Sequence, residues 1–124
     1  MTKEEKELLL KDLCSRLPYG VICEDGYGND LELNGIDKPN TITFKCATKS
    51  FWITDDLDKC KPYLFPMSSM SAEQKEEYDQ ITIRDGVLTV WTTSTYDWLN
   101  KNHFDYRDLI KKGLAIDATN LNIY

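Results

Sequence analysis

At 124 residues, with 41% hydrophobic and 29% charged side chains, the chain has the length and composition of one folded domain (1–124) rather than of a disordered or fibrous segment. A net charge of −6 argues against a nucleic-acid partner, which needs basic residues to displace counterions from phosphates. No stretch approaches the roughly 18 apolar residues of a membrane span, and M-T-K-E-E-K-E-L-L-L carries glutamates where a signal peptide has its basic region, so no membrane partner and a cytoplasmic location are expected.

In chain order, Thr2 to Arg16 is predicted to form a helix. Thr2 and Glu5 have the spacing of a capping box, Leu10, Leu13, Cys14 and Leu17 follow i, i+3, i+4, i+7, and Pro18 stops the helix. From Tyr19 to about Phe65 the period changes to two. Val21 to Cys23 is a short apolar run, Leu31 and Leu33 alternate with polar residues, as do Ile42, Phe44 and Cys46, and Phe51 to Ile53 is β-rich. Turn chemistry separates these runs, and a further turn is expected over Asp55 to Pro62. Ser71 and Gln74 form a second capping box for a helix through about Tyr78.

Asp85-Gly86 then predicts a hairpin in which Ile83 faces Leu88 and Ile81 faces Val90. Ser94 with Asp97, and Asp105 with Asp108, are expected to cap two C-terminal helices, the second closed by Gly113 with Leu114 folding back on Leu109. The expected class is α+β: a small antiparallel sheet, open to curling into an SH3-like partial barrel, with an N-terminal helix and C-terminal helices packed on it. Oligomeric state leaves no signal.

Chemistry is sparse. Cys14, Cys23, Cys46 and Cys60 lack C-x-x-C spacing and are expected as buried thiols, so no metal and no disulfide framework is predicted. His103 is the only histidine, and Ser68 and Ser69 lack a nucleophile elbow. Asp25 to Ile36 fails as a calcium loop at its glycine and bidentate positions, and Gly26-Tyr27-Gly28 precedes no helix that would bind phosphate. The cluster Asp55, Asp56 and Asp58 is expected to face solvent in a turn. No catalytic residue and no cofactor is predicted.

Two segments are rich in the residue types of interfaces: K-P-Y-L-F-P-M-S-S-M from Lys61, too irregular for regular structure, and Y-D-W-L-N-K-N-H-F-D-Y-R from Tyr96. They nominate Tyr63, Met67, Met70, Tyr96, Trp98, His103, Tyr106 and Arg107 as binding residues, against the plainer reading that Pro62, Leu64, Pro66, Trp98 and Phe104 only pack.

L-P-Y-G-V at Leu17, the Lys61 to Met70 segment and Y-D-W-L-N-x-x-x-F-D-Y-R-x-L-I-x-K-G-L-A at Tyr96 resemble a group of short uncharacterised proteins of Bacteroides-type gut bacteria, their phages and integrated elements. The resemblance covers the N-terminal helix and the last third, and covers the strand region poorly. It implies arginine where this chain has Phe65, and a direct run to Y-D-W-L where this chain has Ile81 to Trp91. It implies a mobile-element or gut-bacterial setting and no activity, substrate or site residue.

Two functional expectations follow. The first is a non-enzymatic protein-interaction module with a host or phage protein as partner. The second is a small-molecule-binding domain or small enzyme whose pocket lies between sheet and C-terminal helices, with His103 and Tyr106 at its rim. An acidic surface that imitates nucleic acid is a third, and no contiguous acidic run is long enough to carry it.

Overall fold

A computed structural model of the chain describes residues 1–38, 41–45, 52–84, 87–88 and 90–124. Helix α1 (Lys3–Arg16) starts as its sequence predicts. The Thr2 hydroxyl accepts the Glu5 amide at 3.1 Å, and the Glu5 carboxylate accepts the Thr2 amide at 3.0 Å. A 3₁₀ turn, Leu17–Tyr19, holds Pro18, and Gly20 follows in the left-handed region at φ 70°.

The buried face of α1 differs from the predicted one. Leu9, Asp12, Leu13 and Arg16 are buried at i, i+3, i+4, i+7, whereas Cys14 is exposed and Leu10 and Leu17 are only partly covered. The helix is turned by about one residue because Asp12 and Arg16 neutralise each other and so enter the interior as a pair.

The main sheet runs β4-β3-β2-β1-β5-β8, with β9 also paired to β5. Its strands are β1 (Ile22–Glu24), β2 (Asp30–Lys38), β3 (Thr41–Lys45), β4 (Trp52–Asp56), β5 (Lys61–Pro66), β8 (Phe104–Asp105) and β9 (Ile116–Asp117). The first four and β5 pair antiparallel, while β8 and β9 join β5 parallel. The fold is therefore α+β with a mixed sheet. Its order runs open from β4 to β8, and no SH3-like barrel follows from it.

The alternation in β2 survives a bulge. Leu33 pairs with Phe44 and Ile36 with Ile42, so three steps on β2 match two on β3. Without the extra residue Ile36 would point away from the face that Leu33 shares. Leu31, Leu33, Ile42 and Phe44 are buried there with Leu9 and Leu13 of α1, each large aliphatic side chain contributing about 1.5–3 kcal/mol by leaving water. Cys23 and Cys60 join this core; Cys46 and Phe51 lie outside the described residues.

The turn expected over Asp55 to Pro62 contracts to a 3₁₀ turn at Leu57–Lys59, so Asp55 and Asp56 belong to β4. Lys61–Pro66, expected to be irregular, is the strand at the junction of the sheet. Pro62 brings no amide to the ladder. The Tyr124 hydroxyl spans the gap instead, accepting the Ile22 amide at 2.9 Å and donating to the Tyr63 carbonyl at 2.8 Å.

Helix α2 (Ala72–Thr82) carries the predicted capping box at Ser71 and Gln74 but runs four residues further than Tyr78. Its extension consumes Ile81 and shortens the expected hairpin to β6 (Ile83–Arg84) against β7 (Val87–Leu88). Ile83 does face Leu88, while the Asp85-Gly86 turn lies outside the described residues. Helix α3 (Thr93–Lys101) begins earlier than Ser94, with the Thr95 hydroxyl accepting the Thr92 amide at 3.2 Å.

The second C-terminal helix is absent. Asp108 sits at φ 57° and Gly113 at φ 75°, which leaves room for a single turn. Its caps nevertheless form: the Asp105 carboxylate accepts the Leu109 and Ile110 amides at 2.9 and 3.0 Å, and the Leu114 amide returns to the Leu109 carbonyl at 2.9 Å. Among the described residues no helix is long and apolar enough to cross a membrane.

Candidate functional site

Two arginines converge on one carboxylate between α1 and the C-terminal segments. Asp12 accepts Arg16 Nε at 2.8 Å through one oxygen and Arg107 Nη1 at 2.7 Å through the other. Asp12 and Arg16 have no exposed side-chain surface, and Arg107 keeps 15%. Arg16 also donates to the Phe104 carbonyl at 2.6 Å, while its Nη1 is buried with no hydrogen-bond partner. The network continues outward: Arg107 Nη1 donates to the Tyr106 hydroxyl at 2.8 Å, which donates to Asn100 Oδ1 at 2.8 Å. Both guanidinium groups lie near the Tyr106 ring, at 4.5 Å for Arg107 and 5.2 Å for Arg16.

Above this network lies a cleft of about 600 Å³. Lys11 and Ser15 of α1 form one wall, Tyr96, Asp97 and Asn100 of α3 the other, and Trp91, Tyr106 and Arg107 complete it. Three rings meet edge to face there. Trp91 and Tyr96 are 5.4 Å apart, Tyr96 and Tyr106 5.4 Å, and Trp91 and Tyr106 6.1 Å. The Ser15 hydroxyl donates to the Lys11 carbonyl at 2.9 Å, so its proton is committed to its own helix, and no histidine lines the cleft. The rings thus lie beside the hydrogen-bonding groups of Asn100, Tyr106 and Arg107.

Of the nominated residues, Tyr96, Tyr106 and Arg107 come together here. Trp98 lies elsewhere, stacked on Phe104 at 5.6 Å and 18° with its indole donating to Glu77 at 3.1 Å, which ties α3 to α2 and the sheet. Tyr63 is buried in β5 and donates to Asp30 at 2.6 Å; burial and that carboxylate push its hydroxyl pKa up. Met67 borders two smaller grooves and Met70 one of them, and neither groove shares a residue with the cleft.

His103 is neither a cleft residue nor an open surface one. It ends α3 in the left-handed region at φ 62° and lies flat on the Tyr124 ring, 3.7 Å away. Burial, then the positive charge of Arg16, lowers its pKa to about 4, and its Nδ1 is buried with no partner. Among the described residues no three His, Cys, Asp or Glu side chains gather as a metal site.

Sequence reasoning missed Lys11, Asp12, Ser15, Arg16, Trp91 and Asn100. One signal was present: a helix face that repeats at i, i+3, i+4, i+7 through Leu9 and Leu13 also holds Asp12 and Arg16, an i, i+4 ion pair on the apolar stripe. Trp91 falls at the end of the Ile81 to Trp91 stretch expected to hold the hairpin, outside both aromatic-rich segments. Compared with protein-family models, with curated proteins and with solved structures, the chain matches none.

Proposed function

We propose that this chain is a non-enzymatic interaction module that captures a host or phage protein through the Trp91–Tyr96–Tyr106 cleft, in the mobile-element setting its motifs resemble. The observation that carries this reading is the cluster of three edge-to-face rings, with Tyr96 41% exposed, on a floor fixed by the Asp12–Arg107–Tyr106–Asn100 bonds. Tyrosine, tryptophan and arginine supply a large share of binding energy at protein interfaces because they cover much area with few rotatable bonds. A floor already held by hydrogen bonds lowers the ordering cost of association.

A second reading places a small ligand in the same cleft. Its volume of about 600 Å³ supports this, as do the convergent Asn100, Tyr106 and Arg107 groups. Tyr106 lines it and His103 does not. Affinity capture of tagged wild type and Tyr96→Ala, each shown to be folded, separates the readings. A stoichiometric protein lost with Tyr96→Ala supports the interaction module. A blank with both proteins, together with a small molecule that raises the melting temperature of wild type alone, supports the ligand pocket.

A further inference from the structure

We infer that the cleft recognises a single carboxylate set beside an apolar or aromatic group, presented by the partner chain. This rests on the cleft being the binding surface proposed above. Around the cleft three cations, Lys11, Arg16 and Arg107, face two carboxylates, Asp12 and Asp97, so one positive charge is unmatched in a protein whose net charge is −6. The excess is held where water screens it least. Arg16 is wholly buried, shares Asp12 with Arg107, and has an Nη1 without a partner.

Arg107 delivers that excess to the cleft. Its Nη1 is committed to Asp12 and Tyr106, whereas its Nη2 makes one long bond, 3.4 Å, to the Ser15 hydroxyl, so this nitrogen keeps a second proton for a ligand. One unmatched charge suits a monoanion, and Asp97 in the same cleft repels a second negative charge, which disfavours phosphate. The Trp91 and Tyr96 rings offer the adjoining apolar shelf. A chain-terminal carboxylate and an acidic side chain next to an aromatic residue present the same chemistry.

The test is titration of the intact chain, followed by the NMR signals of the Trp91 indole and the Arg107 guanidinium. The probes are acetyl-phenylalanine, acetyl-glutamyl-phenylalanine amide, the neutral acetyl-phenylalanine amide, and inorganic phosphate. A saturable shift with either carboxylate probe, about tenfold weaker with the neutral amide, is the expected result. Preference for the first probe identifies a chain terminus, and preference for the second identifies a side chain.

Arg107→Gln abolishes the preference for charge. Because that variant also disturbs the Asp12 network, Lys11→Glu on the exposed side of the cleft serves as the second, weakening both carboxylate probes more than the neutral amide. Equal binding of neutral and charged probes, stronger binding of phosphate, or no shift at all overturns the inference. Equal binding leaves the interaction reading intact, whereas partner capture by folded Tyr96→Ala removes that reading itself.

Discussion

Two aromatic clusters flank α3, and they are built to different ends. In one, Trp98 stacks on Phe104, Phe104 meets Phe65 at 6.3 Å, Phe65 meets Tyr124 at 5.9 Å, and Tyr124, 44% exposed at the end of the run, lies on His103, so the inner rings are covered by their neighbours. In the other, Trp91, Tyr96 and Tyr106 touch one another edge to face and leave a cleft beside them. Tyr78 reaches both tryptophans, at 6.3 Å to Trp91 and 6.0 Å to Trp98, so the clusters are continuous in space. The contrast teaches that aromatic richness marks a segment worth inspecting and says nothing of which ring is spare. What distinguishes the open cluster is its support: its floor is an ion-pair network, while the closed cluster rests on strands and stacking.

Substitutions separate the two. The largest effect is expected for Asp12→Asn, which keeps the shape and leaves two buried guanidinium groups without their shared counter-charge. Unfolding by denaturant should record a loss of about 3–5 kcal/mol. Trp98→Ala comes next, at about 2–4 kcal/mol, because it removes the stack on Phe104 and the bond to Glu77 on a half-buried side chain. A Trp98→Ala variant as stable as wild type would show the Trp98–Phe104 stack to be dispensable.

Tyr124→Phe keeps the ring on His103 and deletes only the hydroxyl that bridges β1 and β5. A loss of about 1–3 kcal/mol is expected, together with faster amide exchange at Ile22.

Another expected effect depends on pH. The folded pKa of His103, about 4, lies below its ordinary 6.5, so between these values the unfolded chain binds a proton that the native state refuses. The stability from neutral His103 is present above pH 6.5 and is lost as pH falls towards 4. His103→Asn tolerates the left-handed backbone and does not titrate. Its melting temperature should therefore fall less than that of wild type across that window, and parallel curves would contradict the burial assigned to His103.

Local signals in the sequence carried to the structure where the determinant is itself local. The capping pairs Thr2/Glu5 and Ser71/Gln74 formed, the alternation of Leu31, Leu33, Ile42 and Phe44 set the sheet, and Gly113 closed its turn. Long-range determinants were illegible. The parallel pairing of β8 and β9 with β5 depends on the Phe65 amide meeting the His103 carbonyl and the Ala118 amide meeting the Leu64 carbonyl, both at 2.8 Å, and no periodicity encodes that. The cleft was half legible for the same reason. Tyr96, Tyr106 and Arg107 stood out by residue type, but Asp12 and Arg16 lie some ninety positions away and matter only because the fold brings them beneath Arg107.

The most direct measurement compares Tyr96→Ala with wild type for both thermal unfolding and partner capture. Tyr96 is an exposed ring of the open cluster, so its melting temperature should stay within about 2 °C of wild type while capture is lost. Capture that persists in the folded variant, or a melting temperature that collapses with it, would contradict the assignment of binding to the cleft and of packing to the Trp98 side.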